Sequence, residues 1–133
     1  WGATMEITLP YPPSVNRYWR AIGRGRVIIS REGRDYRRKV GYVIIDSREG
    51  ELPEPTTERL AVTIKAYMPD RRRRDLDNVL KATLDALQNG GMFEDDEQID
   101  DLRITREEVE PPGRLEIFME EIPDARKPLV TDT

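Results

Sequence analysis

The chain has 133 residues, of which 36% are charged, and its formal net charge at pH 7 is −4. This length suits one domain with a modest hydrophobic core. The sequence contains neither cysteine nor histidine, which excludes disulfides, zinc-thiolate sites, thiol nucleophiles and imidazole bases. Any catalysis would therefore depend on carboxylates, lysine, arginine, hydroxyls or a bound hard metal ion.

The first third of the chain predicts a strand, a stiff loop, a hairpin and a helix. Residues 1–4 look like a cloning remnant before a native Met5, and alternation over residues 5–9 predicts a short strand. Three prolines within residues 10–13 favour an extended loop. A glycine-bounded hairpin with a strand at residues 27–29 follows, and Ser30 is a suitable cap for a helix over residues 31–48.

The remainder of the chain predicts three strands and a second helix. Residues 59–69 alternate clearly, residues 76–88 have helical spacing, and two further strands are expected to form a hairpin across residues 110–113. We therefore expect one α/β domain of the α+β kind over residues 5–122. It would have two layers, a mixed β-sheet with two main helices packed on one face.

The composition also predicts the state of the carboxyl-terminal segment and the cellular location of the protein. Residues 123–133 have the composition of a mobile tail. No apolar run approaches the length of a membrane span, and no signal-peptide pattern is present. We therefore expect a cytoplasmic protein with no membrane partner.

Charge is segregated along the chain. Residues 14–39 contain nine Lys or Arg against two acidic residues, residues 71–74 are all arginine, and residues 94–101 are rich in acid. A chain with such segregation can be acidic overall and still present a basic face. Each arginine alone could be simply solvated, but together they suit a phosphate backbone. The predicted DNA-binding residues are Asn16, Arg17, Arg20, Arg71, Arg72, Arg73 and Arg74.

A group of carboxylates with a lysine lies directly after the arginine run. Helical geometry places Asp77, Lys81 and Asp85 on one face of the second helix. Asp75 precedes the helix, where exposed N–H groups and the helix dipole favour an anion. The plain alternative is a capped helix with an exposed Asp–Lys pair. The second acidic cluster, residues 94–97, can approach the first only if the chain doubles back along the helix.

If the two acidic clusters meet, their oxygen ligands suit magnesium or manganese. Such ions commonly act on phosphates, and Lys81 would neutralise a phosphate or orient water. Tyr18 and Trp19 could stack on unpaired bases, although a core or interface position suits Trp19 equally well.

Three stretches resemble the RusA family of Holliday junction resolvases. They read "LPYPPSVNRYWR", "MPDRRRRDLDNVLKATLDAL" and "FEDDEQIDDLRI", and the resemblance spans residues 7–120. It implies a small homodimeric endonuclease that needs a divalent ion, usually Mg²⁺ with Mn²⁺ as a substitute. Such an enzyme cuts two strands symmetrically at a four-way DNA junction in recombination and repair.

The same resemblance assigns roles to residues. The family's catalytic, metal-binding carboxylates fall on Asp75, Asp77 and Asp96, and its essential lysine falls on Lys81. Asp95 is an additional candidate ligand, and Asn78 is a candidate supporting residue.

Two other functions are compatible with the residues. The first is a non-catalytic DNA-binding protein whose acidic residues are structural. The second is a metal-dependent enzyme that acts on a small phosphate ester, which would need fewer cations than this chain presents.

A two-fold junction needs two active sites, which a homodimer would supply.

Overall fold

A computed structural model of the protein describes residues 3–51 and 54–126. The described elements, in chain order, are β1 (Thr4–Pro10), α1 (Val15–Tyr18), β2 (Trp19–Gly23), β3 (Arg26–Ile29), α2 (Arg31–Ser47), β4 (Arg59–Met68), α3 (Asp77–Asn89), a 3₁₀ turn (Asp96–Gln98), β5 (Ile99–Val109) and β6 (Arg114–Ile122).

The main sheet has four strands in the order β1-β6-β4-β5. Strands β4 and β5 are parallel, whereas β6 is antiparallel to both of its neighbours. A parallel pair needs a crossover connection, and α3 supplies it. Strands β2 and β3 form a separate two-stranded sheet. The predicted mixed sheet is therefore confirmed, and β5 runs beside β4 as the doubling-back of the chain requires.

The predicted hairpin between the last two strands is wrong. Strand β6 inserts between β1 and β4, so β5 and β6 lie on opposite sides of β4. The connection crosses the end of β4, where the Glu110 N–H donates to the Met68 carbonyl at 2.9 Å. Gly113 has a φ of +88°, and a Cβ there would come within 2.9 Å of Pro69. Glycine therefore permits this close crossing.

The hydrophobic core lies between the sheet and both long helices. The Ser30 hydroxyl accepts a hydrogen bond from the Gly33 N–H at 3.0 Å and caps α2 as predicted. The other face of the sheet carries Phe118, whose residue exposure is 38%. The two-layer arrangement with both helices on one face is thus confirmed. Its buried contributors include Leu60, Val62, Ile64, Ala66 and Met68 of β4, Tyr36, Val40 and Ile44 of α2, and Val79 and Leu87 of α3.

The chain ends differ in part from expectation. Thr4 pairs with Glu120 in the sheet, and the Ala3 carbonyl accepts from the Glu121 N–H at 2.8 Å, so residues 3 and 4 extend β1. Of the predicted tail, residues 127–133 lie outside the described residues, as do residues 1 and 2 of the predicted remnant. Among the described residues, no helix is long and apolar enough to cross a membrane.

Candidate active site

The loop between β4 and α3 is organised by Asp70. Its carboxylate accepts from the Arg72 backbone N–H at 2.9 Å and from both terminal nitrogens of Arg74, one of them at 2.9 Å. These hydrogen bonds hold the pKa of the Asp70 carboxyl well below its usual range, and the bond from the Arg74 side chain has the largest effect. Arg106 also donates to the Arg74 carbonyl at 2.6 Å. The loop is therefore fixed mainly by the Asp70–Arg74 ion pair and by Arg106.

The four consecutive arginines divide into two kinds. Arg71, Arg72 and Arg73 are exposed, and the Arg72 side chain is 83% accessible. The Arg74 side chain is only 23% accessible, because Asp70 binds it from one side and the Tyr11 ring lies 5.9 Å from its guanidinium. The first three arginines are thus available to a ligand, whereas Arg74 shapes the loop.

An open cleft of about 600 Å³ adjoins this loop. Arg17 of α1 lines one side, and Arg72, Arg73, Asp75 and Asn78 line the other. Residues more than 50 positions apart in the chain are thereby brought together. The other predicted DNA-binding residues of the amino-terminal third, Asn16 and Arg20, are exposed but are not part of the cleft lining.

The carboxylates of Asp75 and Asp77 are exposed at the start of α3. The helix begins without a side-chain cap, and Asp75 contributes its backbone carbonyl, which accepts from the Asn78 N–H at 3.2 Å. Within the described part of the chain, neither carboxylate has a hydrogen-bond or ion-pair partner. The described residues therefore show neither a side-chain cap nor an Asp77–Lys81 ion pair at the start of α3.

Lys81 contacts an aromatic ring and does not pair with Asp77. Its ammonium lies 5.4 Å from the centroid of the Trp19 ring, within the range of a cation–π interaction. Trp19 is partly buried, packs against the core and lies 4.3 Å from the Tyr18 ring, centroid to centroid. Trp19 is thus a packed side chain that supports the lysine.

Asp85 is the centre of a network that the sequence did not reveal. Arg37 of α2 binds both of its oxygens, at 2.8 and 3.1 Å, and the buried Tyr18 hydroxyl donates to one of them. Burial first, and then the bond to Asp85, raise the pKa of Tyr18 well above its ordinary value, so Tyr18 stays a proton donor. This network joins three helices and fixes the residue that precedes Trp19.

Hydrogen bonds of Asp95 and Gln98 hold the acidic connector after α3 in place. Asp95 accepts from the Glu97 N–H at 2.9 Å and forms a capping box with Gln98. The buried Gln98 amide donates to the carbonyls of Thr56 and Glu58 at 2.9 and 2.8 Å. The Asp-x-x-Gln spacing is a sequence signature of this motif, and it could have identified Gln98 as the anchor.

Asp96 lies beside the second half of α3. Its backbone N–H donates to the Gln88 side chain at 3.2 Å. Burial first, then a hydrogen bond with Asp95 and repulsion from Asp95 and Asp85, raise the pKa of the Asp96 carboxyl. Eight residues of helix, about 12 Å along its axis, separate Asp77 from Asp85.

The described residues contain no group of three or more acidic side chains placed to hold a metal ion. Asp75, Asp77 and Asp96 are therefore not gathered into one cluster within this single chain. What the structure does gather is the arginine-lined cleft with Asp75 and Asn78, while Asp77 and Lys81 lie in the first turns of α3.

Comparison with known proteins identifies the family. Residues 10–120 match the family described as Endodeoxyribonuclease RusA. Crossover junction endodeoxyribonuclease rusA of Enterobacteria phage HK97 is 46% identical over 117 residues, 88% of this chain and 94% of the relative. The proteins of the same name from Enterobacteria phage 82 and Escherichia coli K12 are 45% and 44% identical over 119 residues, 90% of this chain and 96% of each relative. The chain therefore belongs to the RusA endodeoxyribonuclease family.

Proposed function

We propose that this protein is a Mg²⁺-dependent endonuclease that resolves four-way DNA junctions in recombination and repair. It would act as a homodimer that nicks two strands symmetrically. Its relatives bear the name crossover junction endodeoxyribonuclease. The observation that carries the proposal is the cleft in which exposed arginines adjoin Asp75, a carboxylate without a protein partner in the described chain.

The arginines bring a polyanion to the carboxylates. Phosphate contacts by Arg and Lys supply affinity that does not depend on sequence. Arg17, Arg72 and Arg73 line the cleft from two sides, so a phosphate backbone that enters it passes between cations and reaches Asp75. This arrangement offsets the repulsion that isolated carboxylates would exert on a phosphate.

The residues present fit a hard divalent ion. Mg²⁺ is usually held by one or two carboxylates together with waters and substrate phosphates, and Asp75 and Asp77 are exposed carboxylates without protein partners in the described chain. Bound there, Mg²⁺ would supply charge stabilisation and an activated water. Asp96, whose backbone N–H donates to the Gln88 side chain, would be a further ligand, with or without Asp95.

Lys81 would stabilise the phosphate charge that develops during cleavage. It follows Asp77 by one helical turn, and Trp19 supports its ammonium at 5.4 Å. The next residue on this face, Asp85, is balanced by Arg37 in a bidentate ion pair. Asp85 therefore adds little net negative charge beside the lysine. Asn78 lies in the cleft lining and would bind a phosphate or sugar oxygen.

A homodimer would match the symmetry of the substrate. A four-way junction with two-fold symmetry presents two equivalent strands, and a C2 dimer presents two equivalent active sites. Paired nicks in opposing strands would follow from this geometry.

The test uses the purified protein and labelled four-way junctions whose sequences differ at the branch point. With Mg²⁺, we expect paired nicks in two opposing strands near the branch, no cleavage of the matched duplex, and no cleavage in EDTA. Light scattering should give the mass of a dimer. Tight junction binding without cleavage in Mg²⁺ or Mn²⁺ would contradict the proposal and favour a non-catalytic DNA-binding protein.

A further inference from the structure

The β2–β3 hairpin carries exposed apolar side chains. It forms its own two-stranded sheet, and all residues from 20 to 28 are exposed. Ile22, Val27 and Ile28 are 44%, 63% and 38% accessible. Val27 and Ile28 are consecutive in β3, so their side chains lie on opposite faces of the ribbon. The arm therefore exposes a large apolar side chain on each face, which suits insertion between two surfaces of a partner.

The same hairpin is strongly basic. Arg20, Arg24 and Arg26 are exposed, and none has a hydrogen-bond or ion-pair partner among the described residues. No acidic residue occurs between Glu6 and Glu32. The partner of this arm should therefore combine negative charge with accessible apolar surface, which is the chemistry of nucleic acid with exposed base faces.

The root of the hairpin is fixed to the candidate active site. Trp19, the first residue of β2, lies against Lys81. Across the root, the Ser30 N–H and hydroxyl both donate to the Tyr18 carbonyl at 2.9 Å. From Trp19 the ribbon extends about 13 Å to its tip at 3.3 Å per residue. The arm thus has a defined position relative to the lysine and can reach across a DNA groove.

We propose that the β2–β3 hairpin is a branch-recognition arm that contacts the open centre of a four-way junction. Its arginines bind phosphates that converge at the branch, and Ile22, Val27 and Ile28 pack against base pairs that lack a stacking neighbour there. A continuous duplex covers those base faces, so the apolar contacts would there cost the unstacking of a base step, whereas the open branch exposes the faces without that cost. The inference rests on the proposed function, which it extends to the selection of substrate.

Charge argues against a second copy of the same arm as the partner. If two hairpins met each other on a two-fold axis, Arg20, Arg24 and Arg26 would face like charges without intervening acids. DNA supplies the opposite charge at the same place.

The experiment compares binding to a four-way junction with binding to a duplex of equal length, in EDTA so that no cleavage occurs. The test variant carries Ile22→Thr, Val27→Thr and Ile28→Thr, which keep strand propensity and lie outside the core. The matched control is Phe118→Thr, because Phe118 is as exposed as Ile28 but lies on the sheet face away from the helices. Thermal melting verifies that each variant is folded.

We expect the triple variant to lose about tenfold or more in junction affinity, the scale of losing contact with a base face. Its duplex affinity should change less than about twofold, since phosphate contacts persist. The control should retain both affinities. In a second variant, Arg20→Gln, Arg24→Gln and Arg26→Gln together should weaken binding to both DNAs and flatten the salt dependence.

Three results would overturn the inference. Equal losses on junction and duplex would show no branch recognition, unchanged binding by the triple variant would show a solvated arm, and a halved mass in light scattering would show a subunit interface. A wild-type protein without preference for the junction over the duplex would instead count against the proposed function. The two failures are therefore distinguishable.

Discussion

Replacement of Arg72 and Arg73 by alanine should change how strongly DNA binding depends on salt. Both side chains line the cleft, and Arg72 is only loosely associated with Asp70, at 3.9 Å. Each phosphate contact contributes about −0.9 to the slope of log K against log salt for duplex DNA, so the double variant should lose about 1.8 units of slope. Between 50 and 200 mM salt, a fourfold change, wild type should then lose about 12-fold more affinity than the variant.

The assay is equilibrium binding to one labelled junction across that salt range, repeated with junctions of other sequences. The control is Arg103→Ala, because Arg103 is also highly exposed, at 74% of its side chain, but lies on β5. An unchanged slope in the double variant would refute the reasoning and leave Arg72 and Arg73 as solvated residues. A loss confined to certain sequences would instead make them readers of bases.

Three further predictions concern the support of the site and the core. Trp19→Leu should slow single-turnover cleavage up to about tenfold with little change in junction affinity, because Lys81 loses its cation–π partner. Trp19→Phe keeps an aromatic ring and should restore most of the cleavage rate. Equal cleavage rates in the two variants would refute this role of Trp19. Gln98→Leu should lower the free energy of unfolding in urea by about 1–3 kcal/mol, because it leaves buried backbone groups without partners; an unchanged midpoint would contradict it. Ile64→Ala, at a fully buried position of β4, should cost about 2–5 kcal/mol in the same assay, and a cost below about 1 kcal/mol would contradict the packing described.

Local patterns in the sequence predicted the elements well. Ser30 caps α2 through the Gly33 N–H, and the alternation of β4 gives the side that faces the helices. These signals depend only on neighbours in the chain, since capping and period-2 burial are local properties. The sequence left the neighbour of β5 open, and the structure pairs β5 in parallel with β4, with α3 as the crossover.

Partners distant in the chain were harder to predict. Alternation in β6 tells which face is buried but not which strands flank it, so the short connection after β5 was wrongly interpreted as a hairpin. Asp85 was placed on the correct helix face, yet its partners Tyr18 and Arg37 come from two other helices. Nothing in the spacing within α3 indicates them.

Arginines that look equivalent in the sequence have different environments in the structure. Arg74 looks identical to its three predecessors, but only Arg74 lies four residues after Asp70 with a geometry that engages both carboxylate oxygens. The position of the Asp96 carboxylate also could not be predicted from the sequence. The connector after α3 places Asp96 near Gln88 and Asp85, in the second half of the helix. No rule of sequence spacing predicts beside which turn of the helix the connector lies.

The central claim is that the carboxylates at the start of α3 perform cleavage and are not needed for binding or folding. Asp77→Asn, measured for junction affinity and for Mg²⁺-dependent nicking on the same preparation, tests that claim directly. We predict no detectable nicking with junction affinity unchanged or tighter, because the substitution removes a negative charge beside the phosphate. Nicking at the wild-type rate, or loss of junction binding in a folded Asp77→Asn protein, would contradict the account.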